Sequence, residues 1–500
     1  VTSAAGLKSA IDSSRREAVA AFGDGELLLE RYLKTARHVE VQVFADTHGN
    51  TVHLYERDCS IQRRHQKVIE EAPAPGLSNA LRERIGAVAV RAAESIGYLG
   101  AGTVEFLFDP DAAKKKVGSG DPFYFMEMNT RLQVEHPVTE MVLGLDLVEW
   151  QLKVAAGEPL PKTSAELNLS GHAVEARVYA EDPERGFLPA SGRLSHLRTP
   201  DGPGVRVDTG VRQGDVIGVH YDPMIAKLIA HGRDRAEAIR RLGRALEGYE
   251  ILGVTTNVAY LSRIVSHPSY AAADIDTGFI ERHGQSLRRA EEQNSDAAVI
   301  AVLYLHARDA IPGQSPVLNT RSPWARLRGF RLNADAFEQV RLRSGEEVRV
   351  FTLRRSGTGV EIRNGDDVFE CSARVDDDGG FDARVNGRSV RAAASVAQGQ
   401  VDLWFEGRSH RFEMVDPNER RAAAQTGHGH LTAPMPGKII AVLVETGAEV
   451  SRGQPLVTME AMKMEHTVAA PFDGVVETIR FGVGDLVSEG ADLIHLSART

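Results

Sequence analysis

Near its C-terminal end the chain repeats itself. Ala433-Pro434-x-x-Gly437 returns as Ala470-Pro471-x-x-Gly474, and Gly447, Val450, Ser451, Gly453 and Leu456 return as Gly484, Val487, Ser488, Gly490 and Leu493, always 37 residues on. A fixed offset marks two copies of one short unit, neither able to bury its apolar face alone. Regular glycines between alternating Val, Ile and Leu runs predict tight turns in a small β-sandwich. Between the halves, Leu456-Val457-Thr458-Met459 and His466-Thr467-Val468-Ala469-Ala470 read as strands joined through Ala461-Met462-Lys463-Met464. That places Lys463 at a hairpin tip, beside methionines where a solubilising surface would carry polar groups. A lysine so presented is an ordinary surface charge or a handle to be recognised and modified.

The surroundings favour the handle. The stretch from about His430 resembles the biotinyl/lipoyl carrier domain, and Ala-Met-Lys-Met is its biotinyl version, since lipoyl domains typically put aspartate before the lysine. The resemblance implies biotin held covalently on Lys463 by a biotin protein ligase.

The remaining chain is long enough for more. Five hundred residues exceed one core and predict two to four domains. A net charge of −10 leaves no basic stripe for nucleic acid, which excludes that class of partner. Cys59 and Cys371 form no disulfide framework and suit a reducing compartment. No apolar run approaches the ~20 residues of a membrane span, so a membrane partner is not expected. Val1 falls inside a helix-like pattern without an initiator methionine, and the expectation is an N-terminally truncated chain.

Along the first half, the pattern predicts a helix over Ala4–Phe22 and strands over Leu27–Leu33, His38–Phe44 and Thr51–Glu56. A helix over Asn79–Ile96, strands over Gly102–Phe108 and Phe123–Met128, and a helix over Asp234–Glu250 follow. From Asn294 the style changes. One helix (Ala297–His306) precedes many short strands ending near Val415, which predicts a small β-barrel or sandwich with a helix attached. Residues 417–429 are a linker by composition.

Four stretches concentrate polar residues beyond what packing requires: 59–67, 102–108, 125–137 and 171–177. Glu105 and Glu127 each interrupt an apolar strand, and Asn129 follows Glu127 at the spacing that keeps side chains on one face. A carboxylate there is costly unless paired or bound to a cation. Singly, each glutamate reads as half of a structural ion pair with an arginine. With Arg131, Gln133 and Glu135 just beyond, the set suits a hard cation such as Mg²⁺ that bridges phosphate oxygens. Cys59 adjoins this cluster, but nothing in such chemistry needs a thiol, and it reads as a packed free cysteine.

Arg63-Arg64-His65-Gln66-Lys67 and Glu127-Met128-Asn129-Thr130-Arg131-x-Gln133-Val134-Glu135-His136-Pro137 are long and ungapped. They resemble the biotin carboxylase component of biotin-dependent carboxylases, an ATP-grasp enzyme, from residue 1 to about 284. The family match implies that Glu30, Arg31 and Leu33 line the adenine pocket while His38, Gln62 and His65 reach the ribose and phosphates of ATP. Glu105, Glu127 and Asn129 would hold Mg²⁺ or Mn²⁺. Lys67, Arg131, Gln133 and Val134 would bind bicarbonate, with Glu135 as its general base and Arg177 beside the ureido oxygen of biotin; the catalytic set is then Arg131, Glu135 and Arg177. No G-x-G-K-like phosphate cradle occurs in this chain, so weak ATP binding and slow or no turnover are expected of these residues alone.

Ser322-Pro323-Trp324 and Gly329-Phe330-Arg331-Leu332-Asn333 resemble the domain that docks α onto β subunits in acyl-CoA carboxylases. The implied whole is a multidomain α+β chain. Residues 1–33 end an ATP-grasp lid, 34–284 form the biotin carboxylase region, 290–416 the helix-plus-barrel docking domain, and 430–498 an all-β biotinyl/lipoyl hammerhead sandwich. Order and lengths are most like the 3-methylcrotonyl-CoA type of α subunit, with a carboxyltransferase β subunit as partner. Propionyl- or acetyl-CoA types, or a fragment serving only as carrier and assembly module, remain open. The expected compartment is the bacterial cytoplasm, or the mitochondrial matrix in a eukaryote.

Overall fold

A computed structural model describes residues 4–30, 32–64, 66–114, 121–218, 220–288, 295–308, 332, 337–356, 359–376, 380–415, 430–461, 464–488 and 490–498. Helix α1 (Ala4–Phe22) leads to an extended segment, then to strands β1 (Arg37–Ala45), β2 (Thr51–Arg63) and β3 (Gln66–Ala72), and to helix α2 (Asn79–Ser95). Strands β4 (Gly100–Phe108) and β5 (Phe123–Asn129), helix α3 (His136–Leu143), strands β6 (His172–Tyr179), β7 (Val205–Thr209) and β8 (Met224–Gly232), and helix α4 (Arg235–Glu247) complete the frame. The eight strands make one sheet in the order β7-β8-β6-β3-β2-β1-β4-β5, antiparallel throughout.

Strand alternation sorts the two faces of this sheet. Val39, Val41 and Val43 of β1 join Val104 and Phe106 of β4 under Leu81, Ile85 and Ala89 of α2. Val174, Ala176 and Val178 of β6 lie with Leu228 of β8 under Ala238, Leu242 and Leu246 of α4. The opposite face carries the polar side chains. There α3 crosses β6, β2 and β3, and β1, inside the sheet between β2 and β4, is buried along its whole length.

The expected strand over Leu27–Leu33 is not formed. Among the described residues no ladder partner meets it, and a lone strand leaves its amides unpaired; Leu28 and Leu29 stand 92% and 81% exposed. The other strands and helices expected in this half are present. The barrel alternative holds for the next unit: eight strands from Phe337–Ser344 to Arg408–Met414 close in sequence order. Its helix α5 (Ser295–Arg308) is encased by the strands instead of lying outside. Ala297 to Leu305 are all buried in the barrel core with Phe351, Ile362 and Phe381, as an all-apolar helix requires. Trp404 ties the barrel to α4, donating its indole N–H to Glu247 O at 3.3 Å. The docking motifs at 322–324 and 329–333, Leu332 apart, and the 417–429 linker lie outside the described residues.

In the carrier unit the duplication reappears as geometry. Gly437–Val442, Glu449–Val450 and Pro455–Ala461 recur as Gly474–Ile479, Leu486–Val487 and Asp492–Ala498. Each of its two sheets draws strands from both copies, closing one core around Ile439, Leu456, Met459, Val476, Leu493 and Leu496.

Candidate active site

The polar face of the main sheet is a row of charges set by register. Glu40 lies directly opposite Arg57 on one side and Glu105 on the other, and Glu105 lies opposite Glu127. Arg57 is wholly buried. Its Nε donates to Glu40 Oε1 at 2.7 Å, and its two terminal nitrogens reach Gln42 Oε1 (2.9 Å), Thr139 Oγ1 on α3 (3.0 Å) and Gln133 Oε1 (3.2 Å). A buried guanidinium with every edge satisfied is a fixed structural charge.

Lys67 reaches this face through a β-bulge. Gln62 pairs with Lys67 but Ile61 pairs with Ile69, so Val68 is an extra residue in β3. The bulge turns Lys67 to the side opposite Ile69. Its Nζ donates to Glu40 Oε2 and Glu135 Oε1 at 2.6 Å each, and to Glu105 Oε1 at 3.2 Å. Glu135 ends the loop before α3, and its other oxygen accepts from Arg177 Nη2 at 2.9 Å. Arg177 Nε donates to Glu70 at 2.5 Å. Lys227, opposite Arg177 in the ladder, donates to Val134 O at 2.9 Å. Gln133 Nε2 donates to Glu105 Oε1 at 2.7 Å.

Burial works against the charge on these groups and their neighbours outweigh it at three positions. His38, bonded to Glu105 at 2.8 Å, is raised despite burial by that bond and by Glu40. Glu40 is depressed against burial by Lys67 and Arg57. Glu105 is drawn down to about 2 against burial by His38 and Lys67. Burial pushes the Cys59 thiol well up, aided by Glu40, as a packed free cysteine requires.

Glu127 and Asn129 sit on the edge strand, Glu127 exposed and Asn129 partly so. Asn129 Nδ2 donates to Glu105 Oε1 (3.0 Å) and Glu127 Oε1 (3.2 Å), standing between the two carboxylates where a cation would bridge them. Two facing carboxylates and a reorientable amide fit Mg²⁺, a hard ion that keeps several waters. Two other sets, His38/Glu40/Glu105 and Glu40/Cys59/Glu135, also bring donor atoms within 4.8 Å, but the Lys67 ammonium bonds two members of each, against one, Glu105, of the Glu105/Glu127/Asn129 set.

The remaining expected residues scatter. Gln62 faces Lys67 across the ladder. Arg131 is exposed, its Nη2 3.4 Å from Asn129 Oδ1. Glu30 is exposed and Leu33 half-buried in the extended segment, and neither hydrogen-bonds to the cluster among the described residues. Arg31, His65 and Lys463 lie outside them, although Ala461 and Met464, paired across the ladder, bracket Lys463 in sequence. Glu40, Arg57, Thr139, Glu70 and Lys227 belong to the cluster although no sequence motif marks them, and so does Glu175, one of the polar residues of the stretch 171–177. Period-two alternation marks Glu40 and Gln42 as sharing a face with His38, but nothing local shows what covers it.

Comparison with known proteins agrees with this geometry. Residues 1–163 match the family described as carbamoyl-phosphate synthase L chain, ATP binding domain, and 175–282 the biotin carboxylase C-terminal domain. Residues 294–431 match the methylcrotonyl-CoA carboxylase α-subunit BT domain, and 429–496 the family of biotin-requiring enzymes. The biotin carboxylase domain of Hydrogenobacter thermophilus 2-oxoglutarate carboxylase, solved with MgADP, ADP and bicarbonate, is similar at 43% identity and TM-score 0.52, over 57% of this chain and 61% of that one. Fold and site thus define a biotin-dependent ligase of the carboxylase class, a multidomain α+β protein whose cofactors are ATP, Mg²⁺ and biotin. Its mitochondrial relatives include the Dictyostelium discoideum methylcrotonoyl-CoA carboxylase α subunit, 44% identical over 97% of this chain and 70% of that protein, and the human propionyl-CoA carboxylase α chain, 37% identical over 97% and 66%. The chain belongs to the methylcrotonoyl-CoA carboxylase α-subunit family, whose activity is ATP-dependent carboxylation of biotin in the service of acyl-CoA carboxylation. An α subunit implies a β carboxyltransferase subunit. No helix among the described residues is long and apolar enough to cross a membrane.

Proposed function

We propose that this chain carboxylates biotin carried on its own Lys463, and that a separate β subunit passes the carboxyl group to 3-methylcrotonyl-CoA. The observation that carries the first part is the clamp on Glu135, held by Lys67 at 2.6 Å and Arg177 at 2.9 Å. A carboxylate fixed between two cations is held in one orientation, as a general base for bicarbonate must be. Lys67, Arg131, Gln133 and Val134 would hold the bicarbonate anion. Arg177 would face the ureido oxygen of biotin and stabilise the negative charge that develops there. Glu105, Glu127 and Asn129 would hold Mg²⁺; when bound, the ion neutralises phosphate oxygens. Glu30, Arg31, Leu33, His38, Gln62 and His65 would contact ATP. Biotin on Lys463 would supply the ureido nucleophile for the carboxyl group of bicarbonate, whose leaving oxygen departs with the phosphoryl group of ATP, and tethering would keep it near the site at roughly millimolar concentration.

Higher identity to the methylcrotonoyl than to the propionyl relatives, 44% against 37%, favours the five-carbon acyl group. The compartment that fits is the mitochondrial matrix in a eukaryote or the cytoplasm in a bacterium. In the assembled enzyme, Glu135→Gln is expected to lower bicarbonate-dependent biotin carboxylation by roughly 10²–10⁴-fold, and Lys463→Ala to abolish the avidin-blot signal. Wild-type rates in the first variant, or persistent biotin in the second, would sink the reading. Carboxylation of a panel of acyl-CoAs by the same enzyme decides the substrate.

A further inference from the structure

Arg177 is pinned from two sides, and the proposed reaction accounts for only one. Its Nη2 meets Glu135, the base; its Nε meets Glu70 Oε1 at 2.5 Å. Glu70 is wholly buried and its second oxygen has no hydrogen-bond partner among the described residues. Directly across the β3–β6 ladder from Glu70 lies Glu175, also wholly buried, with neither oxygen partnered among the described residues. Residues facing one another across an antiparallel pair have Cβ atoms about 4.5–5.5 Å apart, so the two carboxyl groups share one dry pocket.

The charges around that pocket do not balance if both acids ionise. Lys67 on β3 is committed to Glu40, Glu105 and Glu135. Lys227 on β8 is committed to Val134 O and, at 3.4 Å, to Asp208 on β7. Arg177, bonded to Glu70 and Glu135, and the committed Lys227 are the cations that offset Glu175, neither by a hydrogen bond. Two carboxylates in one buried site do not both stay charged. We propose that Glu70 and Glu175 are a proton-sharing pair that positions Arg177: Glu70 anionic against the Nε edge, Glu175 neutral with its O–H directed to the free oxygen of Glu70. The environment agrees on where the proton sits. Burial, only partly offset by Arg177, pushes Glu70 up to about 7, while burial and the neighbouring Glu70 raise Glu175 well above the carboxylate range.

Neither acid touches substrate; both act by fixing the guanidinium plane. The proposal rests on Arg177 being the group beside biotin, and the test separates the two. In the holoenzyme, Glu70→Gln removes a charge-assisted hydrogen bond and is expected to lower kcat for free-biotin carboxylation about 10–100-fold. Bicarbonate-dependent ATP cleavage without biotin keeps Lys67 on Glu135 and loses at most the Arg177 half of that clamp, so it should fall by less than free-biotin carboxylation, about threefold. Should E70Q fail to assemble, Glu70→Asp, which keeps the charge and shortens its reach, reads the same split. Glu175→Leu, lacking a donor, is expected to reproduce the split, and Glu175→Gln, which keeps one, to restore most of the rate. Equal loss of both activities in E70Q, or E175Q as damaged as E175L, would overturn the pair. If the wild-type holoenzyme cleaves no ATP with bicarbonate, the functional reading itself falls.

Discussion

Lys67 is the cation on which the most buried negative charge converges, and replacing it with methionine tests whether the site is held together by that convergence. Its side chain is 12% exposed and those of Glu40, Glu135 and Glu105 are 0%, 2% and 7%, so little solvent screens the three contacts. Glu105 alone, drawn from its ordinary value of 4.5 to about 2, represents roughly 3 kcal/mol of preference for the charged form, divided among His38, Lys67 and Gln133. Removing one partner of a buried ion pair typically costs about 3–5 kcal/mol. For a sheet domain of this size that is about 10 °C of melting temperature, read by calorimetry on the biotin carboxylase transition. The pH dependence has a definite sign. Glu40 and Glu105 are depressed in the folded state, so their contribution is present above the unfolded carboxylate value of ~4.3 and fades as pH falls through the folded values. Lys67→Met lifts that depression, so the gap between wild type and variant is widest near pH 7–8 and narrows below about pH 4.5. A melting shift under about 2 °C at neutral pH, or a gap that widens toward acid, would refute the convergence.

Gly253 has φ +99°, and a Cβ there would stand 2.0 Å from Arg193 O; Gly253→Ala is expected to cost about 3 kcal/mol or more by denaturation, and an unchanged midpoint would contradict it. Cys59, buried with its thiol pushed up, should resist a thiol reagent in the native enzyme and react on unfolding, as followed by mass spectrometry. Glu127→Gln removes one charge from the proposed cation set and should raise the Mg²⁺ needed for half-maximal activity on the order of tenfold; titration of activity against Mg²⁺ shows it.

The sequence is most legible where a repeat or a long ungapped motif acts locally. The 37-residue offset predicts two copies of one short-stranded unit, and three strands of the first copy recur in the second, while Glu105, Gln133, Glu135 and Arg177 do converge with Lys67. Where an outcome depends on what covers a face, sequence alone falls short. The strand His38–Phe44 looks like any half-solvated strand, and its place inside the sheet, with Lys67 and Thr139 of α3 closing on Glu40 and Arg57, turns Glu40, Gln42 and Arg57 into a buried lattice. The apolar run Ala297–Leu305 announces burial on every side, but not that a barrel would close around it. Leu27–Leu33 has strand chemistry and no strand beside it, which shows that pairing, more than propensity, decides such segments.

The interleaved carrier has a consequence for how its two halves depend on each other. Two equal units that complete each other's sheets have the arrangement a symmetric pair of separate molecules adopts about a two-fold axis, here written into one continuous chain. Neither sheet is complete without strands from both units, so the carrier is expected to unfold as one.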